Sequence, residues 1–514
     1  MRCANCLSSA IVAAALMLTR MTAAQPLIRV PLDPRATGRP FPHFWEQIFG
    51  SGHALLALRA GYRRDLRLVK AVTDFRYVRF HGILDDEVGV YDGEAHGRPL
   101  YNFTYVDQIY DGLLAGGVRP FVELSFMPRQ LAAKPMRHWF SYHPLVSPPR
   151  SYRRWDALIR AFILHLERRY GATEVRRWYF EVWNEPNLDF WTGVPKQASY
   201  WQLYDHTARA VKSVDARLRV GGPATAQTAW IGAFLQHAAR EGVPVDFVST
   251  HVYATDTSLD VFGHPGLIPR DEMVCRAVRK VHDEILASAT PHVPLIVSEY
   301  NAATYANGRG LTDSLYMGPW LAQTASECDG LTRMMAYWTF SDVFEERGVP
   351  ERPLWGGFGL LTIGSVPKPA YNALAMLHQL GEVRLPDAQP GVLVTRKRDG
   401  DLAVALWNPF IDGEQRGART FVLRLTGAPF ARRATVQILD GARGDLHAAY
   451  RQMGAPRYPT AAQYRQLRKA ARLPPAWQVM VKGGEVRVRV PPSALALVIL
   501  HRDRSPASSV RNGR

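Results

Sequence analysis

The chain has 514 residues, 47% of them hydrophobic and 21% charged, with a formal charge of +17 at pH 7. That length is too great for one ordinary core and suits a large barrel plus a smaller domain, and the composition excludes wholesale disorder. The positive balance invites acidic partners such as nucleic acid, anionic envelopes or uronic sugars. The arginines are nevertheless spread along the chain rather than gathered into a tract with interleaved aromatics, so they read as a solvated surface and no nucleic-acid partner is expected.

Residues 1–24 stand apart. Arg2 is followed by an apolar run from Ala10 to Leu18 and then by Thr22-Ala23-Ala24, the pattern of a secretory signal cleaved after Ala24. The run is too short to cross ~30 Å of hydrocarbon and Arg20 follows it closely, so export to the periplasm or medium is expected rather than a membrane anchor. Cleavage removes Arg2 and Arg20, leaving +15, and takes Cys3 and Cys6 with it. Cys275 and Cys328 remain. An oxidising compartment would let them pair, and two free buried thiols stay equally open. Two cysteines make neither a disulfide scaffold nor a zinc site.

After the signal, residues 27–32 read as a short strand, followed by a Pro/Gly-rich stretch to Pro42. Eight further strands are predicted at 44–49, 77–81, 119–124, 178–182, 218–221, 247–252, 294–297 and 334–338. Helical patterns lie between them, as at 155–170, where Leu158, Phe162, Ile163 and Leu166 fall at helical spacing, and again at 199–214. Eight strand–helix units predict an α/β fold, a closed (β/α)8 barrel with a parallel sheet. An open doubly wound sheet is the alternative, but no G-x-G-x-x-G follows any strand, so a dinucleotide site and its cofactor find no support. From about residue 380 the pattern changes to short alternating strands with turn residues between, the signature of a β-sandwich, with a helical excursion at 450–473. The predicted organisation is therefore a signal at 1–24, an N-terminal strand at 25–35, a barrel at 36–378, a sandwich at 379–503 and a disordered tail at 504–514.

Polar residues gather where barrel chemistry gathers, at the C-terminal ends of strands. Those ends carry His81, Asp85, Glu123, Asn184, Glu185, His251, Tyr253, Glu299, Asn301, Ser341 and Asp342. Two runs are the most telling: Trp183-Asn184-Glu185-Pro186-Asn187 after the fourth strand and Val297-Ser298-Glu299-Tyr300-Asn301 after the seventh. Strands four and seven face one another across a barrel mouth. Two carboxylates ~5–5.5 Å apart are the equipment of a retaining glycoside hydrolase, one attacking the anomeric carbon and one protonating the leaving oxygen. Glu299 is read as nucleophile and Glu185 as acid/base, with Asn184 placed to hydrogen-bond the sugar 2-OH. Trp183 and Pro186 cover Glu185, and ionised Glu299 beside it disfavours a second negative charge, so Glu185 should start protonated. His81 and His251 read as hydrogen-bond partners of sugar hydroxyls, since no H-x-x-x-H or ligand-spaced carboxylate supports a metal. Tyr253, Tyr305, Trp338, Phe340 and Phe344 offer aromatic walls, and the run from Trp338 to Glu346 mixes aromatic with acidic residues as a sugar site does. It predicts substrate contact for Trp338 and for one of Glu345 and Glu346.

These residues resemble glycoside hydrolase family 39, the β-xylosidase and α-L-iduronidase family. The resemblance covers nearly all of the mature chain. It is carried by Phe49-Gly50-Ser51-Gly52-His53, Tyr77-Val78-Arg79-Phe80-His81, the runs around Glu185 and Glu299, His251-Val252-Tyr253, Tyr337-Trp338-Thr339-Phe340-Ser341-Asp342, Gly356-Gly357-Phe358-Gly359-Leu360, and Ala449-Tyr450-Arg451-Gln452-Met453-Gly454. It implies Glu185 as acid/base and Glu299 as nucleophile, and sugar contacts from His81, Asn184, His251, Tyr253, Tyr305, Trp338, Glu345 and Glu346. It also implies that the strand at 27–32 joins the C-terminal sandwich. Tyr300 stands where the family more often has tryptophan. Phe344-Glu345-Glu346 and the G-G-F-G-L run look like the xylosidase side. An acidic pair would hydrogen-bond neutral hydroxyls and repel a uronate, so a β-D-xyloside is the expected substrate. An endo-acting, arabinosidase-like or iduronidase-like enzyme on an exopolysaccharide or uronic-acid glycan is the alternative, and a non-catalytic carbohydrate-binding protein the remote one.

Overall fold

The computed structural model describes residues 27–304, 310–386, 389–409, 417–427 and 430–503. The expected signal, Tyr305 and the expected tail at 504–514 lie outside the described residues.

Eight parallel strands close into a barrel: β1 (Ile48–His53), β2 (Tyr77–His81), β3 (Arg119–Glu123), β4 (Tyr179–Glu181), β5 (Arg219–Thr225), β6 (Phe247–Tyr253), β7 (Leu295–Asn301) and β8 (Met334–Tyr337). The alternating period of a strand decides what fills it. Ile48, Tyr77, Phe121, Tyr179, Phe247, Ile296 and Met334 pack together as an apolar layer. Two positions further along their strands, Arg79, Glu123 and Glu181 form a charged layer towards the C-terminal end. Helices cover the outside. Tyr152–Tyr170 buries Trp155, Leu158, Ile159, Phe162, Ile163 and Leu166 at helical spacing, and starts where the Ser151 hydroxyl accepts from the Arg154 amide.

The first barrel strand differs from the expected 44–49. Phe44 and Trp45 are buried, but in a turn, and pairing starts only at Ile48 opposite Tyr77. The strand then continues through Gly50 and Gly52, which a propensity reading scores against a strand. Gly50 has a packing reason: a Cβ there would sit 2.0 Å from the Trp338 ring. Strands β5 and β7 run longer than expected, so Glu299 lies within its strand rather than past it.

The C-terminal region packs a seven-stranded sheet against a three-stranded one. Leu27–Leu32 lies in the smaller sheet, parallel to Arg419–Leu425 with Leu27 opposite Thr420. The central strand Leu402–Asn408 is buried on both faces. Leu402, Val404 and Leu406 enter the sandwich core, while Ala403, Ala405 and Trp407 join the core shared with the barrel helices. The stretch after Leu439 folds as two helices, His447–Gln452 and Ala461–Ala471, the second closed at its N-terminus by a Thr460–Gln463 capping box. Among the described residues, no helix is long and apolar enough to cross a membrane.

Cys275, in helix Arg270–Leu286, is bonded to Cys328 at the end of helix Met317–Glu327, with their Cα atoms 5.1 Å apart. The bond closes a sequence separation of 53 residues and restricts the unfolded chain accordingly. Replacing both cysteines by alanine is expected to lower the unfolding free energy by about 2–4 kcal/mol, read as a lower urea midpoint. A midpoint equal to that of the unreduced wild type would show the bridge to be neutral.

Candidate active site

A cleft of about 280 Å³ opens at the C-terminal end of the barrel, lined among others by His81, Asn184, Glu185, Tyr253, Glu299, Trp338 and Glu346. Glu185 reaches it from a tight loop after β4. Trp183 and Glu185 both take left-handed backbone there, with φ of 72° and 43°. The loop is tied down from several sides. The Glu185 amide donates to Ala224 O at 2.8 Å, the Asn187 side chain exchanges two hydrogen bonds with Ala226, and the Trp183 indole donates to Phe190 O. One oxygen of Glu185, one of Glu299 and a ring nitrogen of His251 all lie within 4.8 Å of one another. This is the short carboxylate spacing that leaves no room for a water between acid and sugar face, as against ~6.5–9.5 Å in inverting enzymes.

Beneath the carboxylates sits Arg79, fully buried. Its Nε donates to Glu181 at 2.6 Å, Nη1 to Glu299 at 3.2 Å and Nη2 to Asn184 Oδ1 at 2.9 Å, and Nη2 also lies 2.7 Å from Glu123. Glu123 in turn faces His81 Nδ1 at 2.8 Å, and His81 Nε2 lies 3.6 Å from Glu346. Glu299 accepts a further hydrogen bond from the Tyr253 hydroxyl. His251 Nδ1 is 3.0 Å from Glu185 and 3.6 Å from Glu299.

Burial dominates the electrostatics. It pushes the Glu185 carboxyl up to about 7. Burial likewise lifts Glu299 to about 7, with the Glu185 charge adding to the rise and the Arg79 and His81 charges opposing it. Burial lowers His251 to about 4, so it is a neutral ring at pH 7. Burial would lower His81 as well, but Glu123 and Glu346 overcome it and hold the ring charged, at about 10. Burial would raise Glu123 too, and Arg79 with His81 hold it below the ordinary carboxylate range.

One wall of the cleft is aromatic. Trp338, Tyr253 and Phe358 cluster with Phe344 behind them, and Trp338 lies against the His81 ring with centroids 4.9 Å apart. Phe358 rides on the G-G-F-G-L loop, which a buried cation secures. Lys368 Nζ lies 2.7 Å from Asp313, 2.6 Å from Asp342 and 3.0 Å from Gly357 O. The free oxygens of those aspartates accept from the Gly356 and Gly359 amides, each at 2.7 Å.

Several residues stand differently from the sequence-based expectation. Glu345 does not line the cleft, because its carboxylate accepts from Nη1 and Nη2 of Arg59; of the acidic pair, Glu346 faces the cleft. His251 is fully buried under the two carboxylates rather than lining the cleft. Phe340 belongs to the core, edge-on to Tyr62. Tyr300 is buried against Trp320 and Tyr337, so the residue after Glu299 forms no wall of the site. Arg79 and its partner Glu181 were missed altogether, although an arginine in the middle of Tyr-Val-Arg-Phe-His is a charge that a barrel interior must compensate. Asp256, Trp139 and Arg347, which also line the cleft, sit in loops where no pattern marks them.

Comparison with known proteins agrees with this geometry. The sequence profile of Glycosyl hydrolases family 39 matches residues 28–481. A β-xylosidase of Geobacillus stearothermophilus is 39% identical over 451 residues, 84% of this chain and 87% of its own. The crystal structure of a monomeric β-xylosidase from Caulobacter crescentus CB15 superposes with a TM-score of 0.83 at 34% identity, over 92% of this chain and 99% of its own. The α-L-iduronidase of Canis lupus familiaris is more distant, 24% identical over 81% of this chain and 69% of its own length. With a closed barrel, paired carboxylates at its mouth and a family profile spanning nearly the whole described chain, this protein belongs to glycosyl hydrolases family 39 and is a glycoside hydrolase acting on carbohydrate.

Proposed function

We propose that the protein is a retaining β-D-xylosidase that releases xylose from the non-reducing ends of xylo-oligosaccharides. The observation that carries this reading is the pair of carboxyls within 4.8 Å of one another, set in a small cleft beside the neutral-hydroxyl partners His81, Asn184 and Glu346. The β-xylosidase names of the relatives support the sugar. Glu346 also weighs against a uronate, whose carboxylate it would repel.

Both carboxyls are lifted to about 7, and the surrounding donors decide which ionises first. Glu299 accepts from the Arg79 guanidinium and the Tyr253 hydroxyl, whereas among the described residues Glu185 has a hydrogen bond with the neutral His251 ring alone and feels the His81 and Arg79 charges without contact. The negative charge therefore settles on Glu299 and the proton on Glu185. Glu299 attacks the anomeric carbon, and the bond to the leaving oxygen breaks as Glu185 gives that oxygen its proton. With Glu299 esterified its charge is gone, so Glu185 can take a proton from water. The resulting oxygen attacks the same carbon and frees Glu299. Arg79 fixes Asn184 Oδ1, which leaves the amide NH2 group to hold the sugar 2-OH. Trp338 and Phe358 supply the apolar faces.

Export completes the reading. The leader pattern at 1–24 and the Cys275–Cys328 bond both suit an oxidising compartment outside the cytosol. Recovery of a mature chain beginning at Gln25 from the envelope or medium tests it, and an unprocessed cytosolic chain would refute it.

On a panel of aryl glycosides, β-D-xyloside is expected to be hydrolysed fastest, ahead of α-L-arabinoside, β-D-glucoside and α-L-iduronide, with β-xylose as first product. Glu299→Ala should abolish turnover. Preference for the iduronide would overturn the choice of sugar. Removing the donor hydroxyl in Tyr253→Phe takes away a hydrogen bond to the ionised form of Glu299 and raises its pKa, so the acidic limb of kcat/KM should move to higher pH. Glu185→Gln should lose the alkaline limb, and turnover of substrates with poor leaving groups should fall by roughly 10²–10⁴.

A further inference from the structure

At the opposite end of the barrel from the cleft, three metal-ligating side chains converge on a second cavity. His43 and Glu46 belong to the turn just before β1, and His378 follows the last barrel helix, Pro369–Leu377. A donor atom of each lies within 4.8 Å of the others. Glu46 is fully buried, yet it lies at the foot of an open groove of about 760 Å³ shared with Asp74 and Asp399. His43 Nδ1 is 2.8 Å from Glu46 Oε1, and His378 Nδ1 is 2.9 Å from Oε2 and 3.0 Å from Oε1.

A plain hydrogen-bonded latch leaves the His43 ring with two acceptors to serve, because its Nε2 also faces Gly381 O at 3.4 Å. A neutral imidazole has one N–H and cannot donate to both, so the ring either carries a second proton or gives up the hydrogen bond from Nδ1 to Glu46. A cation on Nδ1 resolves this: Nε2–H donates to the backbone carbonyl while the Nδ1 lone pair binds metal, the arrangement that metal-ligating histidines adopt to fix tautomer and ring orientation. A tetrahedral zinc with bonds of ~2.0–2.2 Å holds its ligand atoms about 3.4 Å apart. The present contacts of 2.8–3.0 Å need only a few tenths of an ångström of outward ring movement.

We propose that His43, Glu46 and His378 form a divalent transition-metal site, with two imidazoles and one carboxylate as ligands and the groove supplying a water in the fourth position. The donor set fits Zn²⁺, with Ni²⁺ and Cu²⁺ able to compete. The ion clamps the chain entering the first barrel strand to the segment leaving for the sandwich. It acts on the stability of the barrel's base and not on the chemistry at its mouth.

The test is calorimetric titration of Zn²⁺ into chelator-stripped full-length protein, with thermal unfolding in zinc and in EDTA. Wild type is expected to bind about one equivalent and to melt several degrees higher in zinc. Glu46→Gln and His378→Ala should lose both effects, while Glu185→Gln, at the other carboxylate–histidine cluster, should keep them. Should Glu46→Gln fail to fold, the half-exposed His378 carries the comparison alone. Binding should weaken as pH falls and imidazole nitrogens take up protons instead. No heat and no melting shift in wild type, binding untouched by His378→Ala, or loss in Glu185→Gln instead would each overturn the site.

Discussion

The Arg79 guanidinium is the constraint on which the catalytic end of the barrel depends. It is fully buried in contact with Glu123, Glu181 and Glu299 and with the Asn184 amide. Four strands or their following loops meet on this one side chain. Removing a partner from such a buried network costs about 3–5 kcal/mol, because the charges left behind have no water to turn to. The same group that permits carboxylates inside the barrel also favours the charged form of Glu299, which it touches at the mouth. Fold and chemistry are held at one atom cluster, with the apolar layer of Phe121, Tyr179, Phe247 and Ile296 closing it off below.

Much of this was legible in the sequence. The alternation of apolar runs with helical patterns gave eight parallel strands because each strand is buried on both faces and each helix has one apolar stripe. The Glu185 and Glu299 runs were readable because N-E-P and S-E-Y-N occur as a pair on strands four and seven; a lone glutamate at a strand end is as readily an ion-pair partner, as Glu123 and Glu181 are. What failed to show was partnership. Nothing local distinguishes Glu345, spent on Arg59, from Glu346, which faces the cleft, since adjacent residues point apart and their partners lie far away in sequence. His251 ends a strand as a sugar-binding residue would, yet lies under the carboxylates. The first strand was misplaced for a related reason. Phe44 and Trp45 are apolar enough for a strand but pack in a turn, and the true strand carries Gly50, whose justification is a tryptophan nearly 290 residues away, and Gly52, where a Cβ would meet the Phe344 carbonyl oxygen at 2.3 Å.

The Lys368 network shows the same logic at the cleft's rim. A buried cation between Asp313 and Asp342 leaves each aspartate one oxygen for a backbone amide of the G-G-F-G-L loop. Gly357 and Gly359 fit because their neighbours already fill the space, a Cβ on Gly359 meeting the Asp342 amide nitrogen at 2.3 Å, while Gly356 takes left-handed backbone with φ of 81°. Phe358 is thereby held by electrostatics at its base and by packing at its tip.

The meeting of Gly50 and Trp338 has one further consequence. The seam between β8 and β1 is thin, with Tyr337 opposite Phe49 as its registered pair, and Trp338 lies over the bare backbone of Gly50 immediately beyond it. The indole is at once a wall of the cleft and a cover for the place where the cylinder shuts. A guest pressed against that wall holds the cylinder closed, and a looser closure blurs the wall. By linkage, whatever binds against that wall in the closed ring also adds to the stability of the closure.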